Sequence, residues 1–178
     1  MRWANLRKRV GSLPTEASRA LLEGTFAGRA DFQQIVRNAI AQAAVSRWQE
    51  MVWFDVNYAD WPLGERAVQA DLQAWSESGR KLTIVAKRFE PLIATHHRFV
   101  AWRKQWSHVV DARAIPSASD EEFPSFLLAT DWAMQRLQPT LSKGVASYEA
   151  KRRVDLQELS RQFLAISSPA FAATTLGL

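Results

Sequence analysis

The sequence predicts one α/β domain: a mainly parallel mixed sheet flanked by helices. Three observations carry this. The chain has 178 residues, the usual size of one domain. Apolar residues make up 47% and charged residues 23%, which allows a real core and excludes disorder along the whole chain. From Asp31 onward, stretches of helical period alternate with short β-branched and aromatic runs, the pattern of βαβ units.

Residues 1–30 carry Gly11, Pro14, Gly24 and Gly28 and only short apolar patches. They read as a partly ordered N-terminal arm with a short helix over 14–22, capped by Ser12. The domain proper spans 31–167. Asp31 is placed to cap a helix whose apolar side is Phe32, Ile35, Val36, Ala39, Ile40 and Ala43. Residues 51–58 form a strand with Val52, Phe54, Val56 and Tyr58 on one face, broken by Asp60-Trp61-Pro62-Leu63-Gly64. A second helix over 65–78 buries Val68, Leu72 and Trp75 and stops at Gly79.

Residues 81–88 are the second strand. Pro91 opens a third helix to about Ser107, with Leu92, Thr95, Phe99, Trp102 and Trp106 inward. A third strand covers 109–115, and 116–122 is a polar loop. Residues 125–130 form a short strand ending at Asp131, and 144–150 form another. The helix over 154–167 turns Leu156, Leu159, Phe163 and Ile166 inward. Residues 168–178, rich in Ala and Thr, read as a flexible tail. The late strands lack a long crossover, so they add antiparallel pairing.

There is no cysteine, which excludes disulfides, thiolate metal sites and a cysteine nucleophile. No apolar run approaches the roughly 20 residues that span a bilayer, so a cytoplasmic protein without a transmembrane segment is expected. The net charge of +5 favours anionic partners such as nucleic acid, phospholipid head groups or an acidic protein, although it also serves solubility alone. The eight tryptophans read as core filling rather than base stacking.

The element order resembles one half of the phospholipase D-like superfamily. The likeness rests on the helix over 32–44, the strand 52–58, the helix after Pro62 that ends at Gly79-Arg80-Lys81-Leu82-Thr83-Ile84-Val85, and the strand 109–115. The family motif is His-x-Lys-x-x-x-x-Asp, whose histidine attacks phosphorus. His96, His97 and His108 all lack a lysine two residues on, and Ser125-Phe126-Leu127-Leu128-Ala129-Thr130-Asp131, at the motif's expected place, holds no histidine. The resemblance therefore implies a pseudoenzyme, similar to degenerate proteobacterial members of the family, that pairs as a homodimer.

Other chemistry is sparse. His96 and His97 are adjacent, so on a helix they point about 100° apart and cannot easily grip one metal. No metal site and no cofactor is expected. Glycine-rich phosphate loops and Gly-x-Ser-x-Gly are absent from the sequence. Asp55 within a strand and Asp131 at a strand end are the candidates for a dispersed acid–base pair, with a turn or cap as the plainer role for Asp131.

The basic segment is the best lead. Arg80, Lys81, Lys87, Arg88, Arg98, Arg103 and Lys104 face only Glu90 as acid. Lys87, Arg88, Arg98, Arg103 and Lys104 are the expected anion-binding residues, and His96 and His97 add donors. The plainer reading is a solvated basic face. Residues 7–9 and Lys151, Arg152 and Arg153 are weaker clusters of the same kind. The expected function is a non-catalytic binding or accessory module for nucleic acid or another polyanion. The alternatives are a nuclease-like phosphodiesterase with an unorthodox site, and a structural subunit that docks a protein partner.

Overall fold

A computed structural model describes residues 21–77 and 79–170. The first helix and most of the arm predicted for the N-terminus, and residues 171–178 of the tail, lie outside the described residues. The elements run β1 (Gly24–Phe26), α1 (Arg29–Ser46), β2 (Glu50–Phe54), α2 (Arg66–Trp75), β3 (Lys81–Ala86), α3 (Glu90–Thr95), α4 (His97–Gln105), β4 (Val110–Ala114), β5 (Ser125–Leu128), β6 (Ala133–Gln138), a 3-10 turn (Pro139–Leu141), β7 (Lys143–Ser147), α5 (Ala150–Ala165) and β8 (Ser168–Pro169).

The strands form one mixed sheet in the order β1-β7-β6-β5-β2-β3-β4-β8. It is not mainly parallel, which corrects the expectation. Among the described strands only β2–β3 and β3–β4 pair in parallel, and every other neighbouring pair is antiparallel. The connections decide this. Helices cross over between β2, β3 and β4, whereas a tight turn joins β5 to β6 and only a parallel neighbour needs a long crossover.

Strand alternation splits the core into two layers. Met51 and Trp53 of β2, with Leu82 and Ile84 of β3, pack on one face against Phe32, Val36 and Ile40 of α1, Leu72 and Trp75 of α2, and Phe99 and Trp102 of α4. Phe54, Val85 and Phe126 point the other way, toward Leu156, Leu159 and Phe163 of α5. Trp53, Trp61, Trp75, Trp102 and Trp132 are all fully buried, as core filling requires. The indole N–H of Trp75 donates to the Trp48 carbonyl (2.6 Å) and that of Trp102 to Ser76 Oγ (2.9 Å).

Several boundaries differ from the sequence reading. α1 begins at Arg29, so Gly28, at φ +100°, occupies the cap, and Asp31 sits in the first turn, where its charge suits the helix dipole. The single third helix is two: the backbone breaks at His96 (φ −109°, ψ +59°). Thr95 and Ile166 point outward rather than inward. Strand 51–58 ends at Phe54, and Tyr58 belongs to the opposite layer from Phe54. β1, β6 and β8 had no counterpart in the sequence reading.

Candidate functional site

Asp55 follows β2 directly, at the carboxyl end of the parallel strands, where ligands of open α/β sheets usually bind. Its surroundings are closed instead. Oδ2 accepts the backbone N–H groups of Tyr58 (2.8 Å) and Asn57 (3.3 Å), and Oδ1 accepts Ser125 Oγ (2.8 Å) and Arg136 Nη2 (2.6 Å). Arg136 Nε donates to the same Ser125 Oγ (2.8 Å), Nη1 reaches Asp60 Oδ2 (3.2 Å) and Ser142 Oγ (3.3 Å), and the guanidinium lies 4.0 Å over the Phe32 ring. Each charged group is paired and hydrogen-bonded, as burial demands. Asp55 is therefore committed to structure and does not act as a general base. Sequence reasoning missed Arg136. The available signal was Asp55 itself, an acid inside an apolar strand that needs a buried cation.

Tyr58 completes this knot. It holds a left-handed backbone (φ +60°), and its hydroxyl donates to the Val85 carbonyl (2.8 Å). Burial, with the nearby Asp55 charge, pushes its phenol well above the ordinary value. Asp131 lies in the β5–β6 turn, closed by Ala129 N–H to the Trp132 carbonyl (2.9 Å), so the turn role holds and no acid–base pair forms with Asp55.

The predicted anion-binding residues fall into separate environments. Lys87 and Arg88 follow β3, and both are held by Asp120 of the polar loop: Lys87 Nζ lies 2.6 Å from Oδ1 and Arg88 Nη2 2.5 Å from Oδ2. These bonds draw the Asp120 carboxyl from 3.8 to about 2, Arg88 acting more strongly than Lys87. The two cations thus share a single carboxylate, which offsets one of their two charges. His96 is only 8% exposed, and its Nε2 donates to the Tyr58 carbonyl (2.9 Å). It faces no solvent anion, which corrects its assignment. The turn inward at His96 is also what separates α3 from α4.

The outer face of α4 keeps the rest. His97, Arg98 and Lys104 are exposed. His97 and Lys104 are seven residues apart and share one stripe of the helix. Arg98 leans toward α2, and its Nη1 donates to the Gly64 carbonyl (2.8 Å). Gln69 of α2 returns a bond to the Arg98 carbonyl (3.3 Å). Arg66, not singled out from sequence, opens α2 two residues after Gly64 and is exposed. Arg66, Arg98 and Lys104 have no carboxylate partner among the described residues. Arg103 is half-buried, and burial lowers its guanidinium from the ordinary value. The site thus reduces to a cationic α2–α4 surface of Arg66, His97, Arg98 and Lys104, beside a closed Lys87–Arg88–Asp120 clamp.

Among the described residues, no group of three or more His, Asp or Glu side chains is placed to hold a metal ion, and no helix is long and apolar enough to cross a membrane.

No family model matches the chain, and no curated protein matches it. Five chains of solved structures do. One is TrmBL2, an archaeal chromatin protein whose structure is described as showing a novel mode of DNA binding. The superposition has a TM-score of 0.60 at 10% sequence identity and covers 94% of this chain and 62% of that one. This chain therefore spans less than two thirds of the TrmBL2 chain. The finding corrects the resemblance to the phospholipase D-like superfamily and to its proteobacterial members, for which no support is found. A homodimer rests on that resemblance alone. What the chain shares with TrmBL2 is its fold, a mixed sheet flanked by helices.

Proposed function

We propose that the chain is a non-catalytic nucleic-acid-binding module whose α2–α4 surface meets the phosphate backbone. The observation that carries this reading is the set of exposed, carboxylate-free cations Arg66, Arg98 and Lys104, with His97 beside them. The net charge of +5 supports it, as does a fold similar to that of a DNA-binding chromatin protein. Contacts of this kind are electrostatic and indifferent to base sequence.

The test is fluorescence anisotropy with labelled duplex DNA and RNA over a series of salt concentrations. Affinity should fall steeply with salt. Arg98→Ala and Lys104→Ala should each weaken binding about equally for every sequence and reduce the log–log salt slope by about one unit. An unchanged slope in both variants would refute the surface as the binding face.

A further inference from the structure

We propose that a groove between α5 and strands β2 and β5, on the sheet face opposite α4, binds an amphipathic carboxylate. The groove encloses about 750 Å3, the size of a small-molecule site. It follows one stripe of α5 from Ala150 to Leu164, a run of about 21 Å.

Its floor is apolar. Val52, Leu128 and Ala129 form the sheet side, and Val154 and Leu164 the helix side. Val154 is 59% exposed, an apolar wall left to water. Among the described residues no aromatic ring lines the groove, so they offer nothing for a nucleobase to stack on.

The polar groups define the ligand's other end. Ser160 is only 6% exposed and lines the groove, yet its Oγ finds no hydrogen-bond partner among the described residues. A serine inside a helix can point to solvent or turn back to the carbonyl four residues earlier, and this one does neither. The Oγ itself is closed to solvent, so a ligand oxygen would satisfy it once the side chain rotates toward the groove. Among the described residues that line the groove, the cations are Arg153 and Arg161 and the acid is Glu50; the donors of Arg153, rather than net charge, select an anion. Among the described residues Arg153 commits only Nη1, to the carbonyls of Asp131 and Tyr148, which fixes the side chain and leaves Nε and Nη2 as donors. Arg161 is mostly exposed and pairs with Glu158 on the same helix.

The test uses the whole chain and three probes of equal chain length: octanoate, octanol and octylamine. Binding is followed by 1H–15N chemical shifts and calorimetry. Octanoate should bind saturably, with shifts confined to α5, β2 and β5. Octanol should bind about tenfold more weakly, because the charge-assisted bonds are lost, and octylamine more weakly still. Val154→Glu and Gln157→Glu, both at exposed positions that leave the fold intact, should each abolish octanoate binding. Arg153→Gln should weaken octanoate without changing octanol. Absence of saturable octanoate binding, equal affinity for all three probes, or binding indifferent to both glutamate variants would overturn the proposal.

Discussion

Arg136 Nη2 lies 2.6 Å from Asp55 Oδ1, with the two side chains only 3% and 2% exposed, and this contact ties β6 to the end of β2. The partners are 81 residues apart, and they join the antiparallel half of the sheet to its parallel half. Arg136→Met would leave a buried carboxylate without its cation. The expected loss is about 3–5 kcal/mol of unfolding free energy in urea titrations. The double variant with Asp55→Asn should lose less than the sum of the single variants.

The Asp120 clamp has a pH signature. Its carboxyl is depressed in the folded chain, so the stabilisation it adds is fully present above its unfolded value near 3.8. That contribution is lost as pH falls through about 2. Carbon-detected NMR of the Asp120 carboxyl should give a midpoint of about 2, moving back toward 3.8 in Arg88→Ala. Asp120→Asn should also release Lys87 and Arg88, strengthening nucleic-acid binding and steepening its salt dependence. Unchanged affinity in Asp120→Asn would place the clamp outside the binding face.

His96 and His97 should separate cleanly. His96→Leu removes one of two bonds to the Tyr58 carbonyl, which still accepts the Trp61 N–H (3.2 Å), at a cost of about 0.5–1.5 kcal/mol, and leaves nucleic-acid affinity unchanged. His97→Ala should leave stability unchanged, because the side chain is exposed. Thermal melts and anisotropy on the same two variants check both halves.

Gly144 sits on β7 where a Cβ would fall 2.0 Å from the Gln135 carbonyl oxygen and 2.7 Å from Phe26 Cζ. The ring could shift, but the β6 backbone could not without breaking the β6–β7 ladder. Gly144→Ala should therefore cost about 3 kcal/mol or more, read as a lowered melting temperature.

α1, α2 and β3 were legible because each carries a clear apolar pattern. Phe32, Val36 and Ile40 mark α1, Val68, Leu72 and Trp75 mark α2, and the apolar centre of 81–86 marks β3. β6 was not legible. Its sequence, Ala-Met-Gln-Arg-Leu-Gln, buries Arg136 and exposes Leu137, the reverse of ordinary patterning. That inversion follows from the partnership with Asp55, which no local window contains. β1 and β8 are too short to show any period. At the candidate site, composition revealed the cations but not their partners. Nothing near Lys87 and Arg88 in sequence identifies Asp120 as their carboxylate. The histidine pair looked uniform until the backbone break at His96 turned one ring inward.

Among the described residues, the two rims of the sheet are strands of three and two residues, β1 and β8. Pro169 in β8 has no amide hydrogen to offer a newcomer. A stub this brief gives an extra chain too few sites for stable self-templating. The fold thus protects its margins against fibril growth by brevity, although its central strands β2 and β3 are rich in the β-branched and aromatic residues that promote it.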